Sequence, residues 1–117
     1  MDANMPKYVD PKNLTHCKEF LPKNFPKEFD LRKLKTLSKI YQQGGCSSCW
    51  AFAALAAVES AYLASGQNVT ELSIQELIDC QTENDGCNGG YIFSALDYVL
   101  KHGVLTDKSY PYEKIVW

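Results

Sequence analysis

The run Gln43-Gly44-Gly45-Cys46-Ser47-Ser48-Cys49-Trp50-Ala51-Phe52 holds the residue types a cysteine nucleophile needs. A thiol attacks carbon well only as the thiolate, and a cysteine at a helix amino terminus faces unpaired N–H groups and the positive end of the helix dipole, both of which favour the anion. Cys49 stands at such a junction, because the glycine doublet breaks the chain before it and an alanine-rich run follows it. The same amides can hold the oxyanion of an acyl-transfer intermediate, and the Gln43 side chain, a short loop away, can supply a second donor. Taken alone, a cysteine at a helix start is more often an inert buried thiol or half of a structural disulfide, so the surroundings must decide.

The elements around Cys49 are legible. Alanine fills half of the positions from Ala51 to Ala64, and Phe52, Leu55, Ala56, Glu59, Tyr62 and Leu63 recur at helical spacing, which predicts a helix that starts within two residues of Cys49 and is stopped by Gly66. A second helix is expected over 73–80, with Ser73 as its cap and Glu76 completing a capping box. A third is expected over 91–102 after Gly89-Gly90, with Ile92, Phe93, Leu96, Val99 and Leu100 as its apolar stripe and Gly103 as its stop. Residues 1–29 hold four of the five prolines and show no sustained period, so they read as an extended leader. Residues 30–43 read as an irregular surface segment, and the tail from Tyr110 as a strand or loop.

Composition narrows the function classes. The 117 residues suffice for one domain, and the formal net charge of −2 offers no basic patch, which argues against nucleic acid as a partner. The longest uncharged run, Ile40 to Val58, carries Gln42, Gln43, Gly44 and Gly45 and is too polar for a membrane span. Five cysteines, at 17, 46, 49, 80 and 87, leave at least one thiol unpaired, and they suit an oxidising place although Met1 to Asp10 contains no apolar run like a secretory signal. Asn13-Leu14-Thr15 and Asn68-Val69-Thr70 fit the glycosylation pattern, which has meaning only on an exported chain.

Cys46-Ser47-Ser48-Cys49-Trp50 resembles, at four of five positions, the signature around the nucleophile of papain-like cysteine proteases. Pro26-Lys27-Glu28-Phe29-Asp30-Leu31-Arg32 looks like the start of a mature enzyme of that family. The segment Leu72 to Cys80 resembles its second helix, and Gly86-Cys87-Asn88-Gly89-Gly90 and Tyr110-Pro111-Tyr112 follow in the family's order. The glycine doublet, Asp30-Leu31-Arg32 and Glu59-Ser60-Ala61-Tyr62-Leu63-Ala64 are similar to the mite group 1 allergen branch. The resemblance implies an α+β papain-like cysteine proteinase fold, of which this chain would hold mainly the α-helical left domain around a nucleophile-bearing central helix. Residues 1–25 would be a leader or propeptide remnant and 26–117 an incomplete left domain, without the barrel-like right domain.

By the same resemblance Cys49 would be the nucleophile, Gln43 the oxyanion-hole amide, and Trp50 an aromatic beside the site. Cys46 would pair with Cys87, leaving Cys49 free. Gly89 and Gly90 would line the cleft, where the backbone of Gly90 pairs with an extended peptide, and Tyr91 and Ile92 would wall the pocket for the second side chain before the scissile bond. No cofactor is implied. Partners would be a peptide or protein substrate and, by family habit, a propeptide or cystatin-like inhibitor, and the location lysosomal or secreted.

The pattern leaves several points open against the family. The family places its His and Asn about 130 to 150 residues after the nucleophile, beyond Trp117, and neither His16 nor His102 matches either role, so the chain is expected to be inactive without its C-terminal half. Cys80 lacks the partner that the family sets after Tyr-Pro-Tyr, and Cys17 has no counterpart and reads as a free leader thiol. Glu59 falls on the expected buried stripe and would need hydrogen-bond or cationic partners, expected from the missing half. Two competing classes are a non-catalytic peptide- or inhibitor-binding fragment, which a downstream His and Asn would argue against, and a zinc module on Cys46, Cys49, Cys80 and Cys87, for which the gap between Cys80 and Cys87 is wide and the helix after Cys49 unsuited.

Overall fold

Three helices form where residues that favour helix meet clear stops, as a computed structural model of the chain describes for Asn24 and residues 26–115. Helix α1 spans Cys49–Ala64, helix α2 Ile74–Cys80 and helix α3 Ile92–His102, with 3-10 turns at Leu31–Leu34 and Gly86–Asn88. Among the described residues no strand forms, and the sole β pairing is an isolated antiparallel bridge between Leu72 and Thr106. No helix is long and apolar enough to cross a membrane among these residues. Most of the expected leader lies outside the described residues; Pro26 to Phe29 is exposed and belongs to neither helix nor strand. The expected irregular segment at 30–43 contains one 3-10 turn, started by Asp30, whose carboxylate accepts from the Arg32 backbone N–H at 3.0 Å.

Helix α1 begins at Cys49, as the alanine-rich run predicts, and ends where Ser65 donates to the Ala61 carbonyl and Gly66 turns at φ +78°. Its buried face is Trp50, Ala51, Ala54, Leu55 and Glu59, which corrects the expected stripe: Leu55 and Glu59 stay on it, whereas Tyr62 is 47% exposed. The helix is apolar on nearly every side, so spacing alone could not say which side packs. Both other helices pack against α1. The fully buried positions include Ala51 and Ala54 on α1, Leu77 on α2 and Ala95 on α3, and small residues there let the helix axes approach.

Helix α3 shows the same rotation. Ala95 is its buried residue, with Leu96, Tyr98 and Val99 packed against the core, while Phe93 and Leu100, both expected on the stripe, are 70% and 85% exposed. Gly103 stops the helix at φ +74°, its N–H donating to the Val99 carbonyl.

Helix α2 is capped as expected on one side only. The Ser73 hydroxyl accepts from the Glu76 N–H at 3.0 Å, but the reciprocal bond of a capping box is absent, because the Ser73 N–H donates instead to the Leu105 carbonyl at 2.8 Å. The Glu76 carboxylate is taken by the Leu105 N–H at 2.7 Å and the Tyr98 hydroxyl at 3.2 Å. The segment after α3 runs antiparallel to residues 71–73, with Asp107 N–H donating to the Glu71 carbonyl at 2.8 Å, and this pairing outcompetes the local box. The tail is held from α2 as well: buried Gln75 donates to the Ile115 carbonyl at 2.6 Å and accepts from the Glu113 N–H at 2.9 Å. It is a loop with no strand through Ile115.

Candidate active site

A disulfide joins Cys46, just before α1, to Cys87 in the second 3-10 turn, 41 positions apart. The Ser47 N–H donates to the Cys87 carbonyl at 2.8 Å beside it, so the segment that delivers Cys49 is tied both covalently and by backbone to the Gly86–Asn88 turn. Cys49 is the first residue of α1, and its thiol is free and exposed. The pairing takes Cys46 and Cys87 out of the four-cysteine zinc alternative. Cys80 is the other free, exposed thiol among the described residues, and burial, followed by the charges of Glu76 and Asp79, pushes it up toward the protonated form.

Gln43 and Cys49 line one cavity of 410 Å³, together with Tyr41, Phe52, Ala53 and Ala56. The Gln43 amide donates one hydrogen bond to the Cys46 carbonyl at 3.0 Å, which holds the side chain over the loop before the helix. That amide carries two N–H donors, so this bond leaves one donor of the group to serve a ligand. At the start of the helix, Ala51 and Phe52 N–H both donate to the Ser48 carbonyl, at 2.9 and 3.2 Å. Ser48 occupies the cap position without its hydroxyl capping the helix. That hydroxyl meets the Tyr112 hydroxyl at 2.7 Å, and Tyr112 donates to the Gln43 carbonyl at 2.6 Å.

Gly89 and Gly90 do not line that cavity; Gly90 packs instead on Trp50, the next residue after Cys49. Gly89 holds φ +129°, a conformation that L residues with a side chain rarely adopt. Gly90 is exposed, yet a Cβ on it would lie 2.6 Å from Asn84 Cγ and 2.8 Å from Trp50 Cδ2. Its outer edge is open and its underside is packed. Trp50 is only 2% exposed and donates from its indole N–H to the Gly86 carbonyl at 3.1 Å, so it supports the glycine loop from below and does not itself face solvent. Tyr91 and Ile92 are exposed at the start of α3. Asn84 fastens this edge by accepting from the Tyr91 N–H at 2.7 Å and donating to the Tyr91 carbonyl at 3.2 Å, and Gln81 in turn accepts from the Asn84 N–H at 2.8 Å.

Asn84 and Gln81 carry no sequence signal that separates them from ordinary polar residues, whereas Ser48 lies in the Cys46 to Trp50 signature and Tyr112 in the Tyr-Pro-Tyr segment, neither with a role that the sequence assigns. Glu59 is 4% exposed and finds its partner within the chain, accepting from the Leu72 N–H at 2.8 Å, which corrects the expectation that a missing half must supply one. Burial pushes its carboxyl up, with the Leu72 bond acting against that shift. Among the described residues no histidine lines the cavity with Cys49. His102 lies at the far end of α3 against the Tyr98 ring, with centroids 4.9 Å apart, and His16 falls outside the described residues.

The chain is similar to known proteins in sequence and in fold. The family model for papain family cysteine proteases matches residues 25–116. Peptidase 1 of Dermatophagoides farinae is 49% identical over 89 residues, which are 76% of this chain and 27% of that protein, and chymopapain of Carica papaya is 43% identical over 90 residues, 77% of this chain and 26% of that protein. The chain thus spans about a quarter of the length of the curated relatives it matches. Among solved structures, the Carica candamarcensis cysteine protease CMS1MS2 in complex with E-64 superposes with a TM-score of 0.72 at 39% identity, covering 80% of this chain and 44% of that one. A digestive procathepsin L2 proteinase from Tenebrio molitor larval midgut gives 0.75 at 33% identity, over 80% of this chain and 31% of that one. With the family model matched over residues 25–116, most of the chain, the chain belongs to the papain family of cysteine proteases.

Proposed function

We propose that this chain is the nucleophile-bearing helical part of a papain-like endopeptidase, with residues 26–117 forming the left domain and 1–25 a leader or propeptide remnant. The observation that carries the reading is the free, exposed Cys49 thiol at the first residue of α1, spared by the Cys46–Cys87 pairing and sharing a cavity with the Gln43 amide. In the proposed reaction the Cys49 sulfur attacks the scissile carbonyl carbon, and the second N–H of the Gln43 amide, with the N–H at the start of α1, holds the oxyanion. Collapse of that intermediate breaks the C–N bond and leaves a thioester on Cys49, which water then hydrolyses. The imidazole that takes the thiol proton and passes it to the leaving amine comes from outside the described residues.

The open outer edge of Gly90 supports the reading that an extended peptide pairs with its backbone, with Gly89 shaping the turn and Tyr91 and Ile92 flanking the bound chain. Trp50 acts there through the loop it supports. The partners are then a peptide or protein substrate and, at the same edge, a propeptide or cystatin-like inhibitor. A disulfide next to the nucleophile favours an oxidising compartment, lysosomal or secreted.

The test is complementation. The 117-residue chain alone should hydrolyse no fluorogenic peptide, addition of the polypeptide bearing the His and Asn should restore turnover, and Cys49→Ala should abolish it. Turnover that persists after Cys49→Ala defeats the proposal.

A further inference from the structure

We propose that Tyr112 is a positioning residue for the Cys49 reaction, setting the Gln43 amide relative to the start of α1; this rests on the reading of Cys49 and Gln43 given above. Its hydroxyl lies 2.6 Å from the Gln43 carbonyl and 2.7 Å from the Ser48 hydroxyl. A carbonyl can only accept, so the single phenolic hydrogen is spent on Gln43, and the Ser48 hydroxyl must be the donor to Tyr112. The competing acceptor for Ser48, the Cys46 carbonyl, is farther away at 3.4 Å. The result is a directed chain, Ser48 O–H to Tyr112 O–H to Gln43 C=O, in which each bond polarises the next.

Two consequences bear on the reaction. Serine at a helix start usually turns its hydroxyl onto the amides of the first turn, but here Tyr112 draws the fully buried Ser48 hydroxyl away, and the helix end that carries Cys49 goes without that side-chain cap. The Ala51 and Phe52 N–H there already donate to the Ser48 carbonyl, which leaves the Cys49 and Trp50 N–H groups at that end to meet an oxyanion. At the other end of the chain, the bond to the Gln43 carbonyl fixes the backbone from which the Gln43 amide projects. One phenol, more than sixty positions along the sequence from both, therefore spans the two halves of the oxyanion site. Its ring is braced edge-on against Phe52 at 5.1 Å, so removing the hydroxyl leaves the packing in place.

The experiment uses the peptidase-active form, this chain together with the polypeptide that supplies the imidazole. Tyr112→Phe should lower kcat about tenfold with KM held within about twofold, the scale expected when a reacting group is misplaced by a fraction of an ångström. Alkylation of Cys49 by iodoacetamide, which passes through no oxyanion, should change by less than about twofold. Ser48→Ala, which keeps the Tyr112 bond to Gln43 and removes only the donor that polarises it, should lower kcat in the same direction by a smaller factor, and the double variant should be no slower than Tyr112→Phe alone, because both act on the same chain. A kcat for Tyr112→Phe within about twofold of the parent, a parallel fall in alkylation rate, or losses that multiply in the double variant would overturn the role. If Tyr112→Phe fails to fold, Ser48→Ala carries the same kcat, KM and alkylation test. Turnover that survives Cys49→Ala would instead overturn the nucleophile reading on which the role depends.

Discussion

Replacing Gly90 by alanine adds one methyl group at the most confined point of the glycine loop. The new Cβ would sit 2.6 Å from Asn84 Cγ, 2.8 Å from Asn84 Cβ and 2.8 Å from Trp50 Cδ2. Trp50 cannot give way, since it is buried and its indole N–H is held by the Gly86 carbonyl. The strain therefore falls on Asn84 and the loop itself. Overpacking of this kind costs about 1–3 kcal/mol, and pushing Asn84 aside also weakens its two exposed bonds to Tyr91, each worth about 0.5 kcal/mol. The expected total is about 2–4 kcal/mol, which for a domain of this size lowers Tm by roughly 10–25 °C. Gly45→Ala is the matched control, because a Cβ there meets nothing within 4 Å and its φ is not in the left-handed region; that change should leave Tm unchanged or raise it slightly, by up to about 1 kcal/mol of stability. Both are read by circular dichroism at 222 nm during non-reducing thermal unfolding. A Gly90→Ala protein that melts within about 3 °C of the parent would refute the claim that the underside of Gly90 is closed by Trp50 and Asn84.

Peptide mapping without reductant should recover Cys46 linked to Cys87 and Cys49 carrying the alkylating label; a link through Cys49 would contradict the arrangement, and loss of the bridge in Cys87→Ala should cost roughly 4 kcal/mol for a loop of this length in the chain-entropy model. Burial raises the Glu59 carboxyl above its unfolded value, so its contribution to stability is fully present below the ordinary glutamate range and is lost as pH rises through the raised folded value. Urea unfolding of Glu59→Gln beside the parent should accordingly show the difference moving in the variant's favour between pH 4 and pH 7, whereas a difference independent of pH would show that Glu59 is not held up by burial.

What the sequence determined by itself lies within a few residues of each signal. The alanine run after Cys49, the Ser73 hydroxyl on the Glu76 N–H, and the turns at Gly66 and Gly103 are short-range events, set by helix propensity, capping and backbone sterics, and they appear where residue types place them. The Cys46–Cys87 pairing was legible through resemblance, because the order of short motifs survives without knowledge of packing. Tertiary structure decided which side of each helix is buried: α1 is apolar on nearly every side, and the apolar stripe of α3 extends past the face that packs, so the small residues Ala51, Ala54 and Ala95 won the interface over Tyr62, Phe93 and Leu100. It also decided the long-range hydrogen bonds. Glu76 abandoned its capping box for Leu105, Glu59 found Leu72, Trp50 found Gly86, and Tyr112 reached back to Gln43 and Ser48. Glu59, Trp50 and Ser48 are buried, and a buried polar group must take whichever partner the fold brings within about 3 Å; for all of these bonds, sequence spacing carries no information about partners that meet only after the chain has folded back on itself.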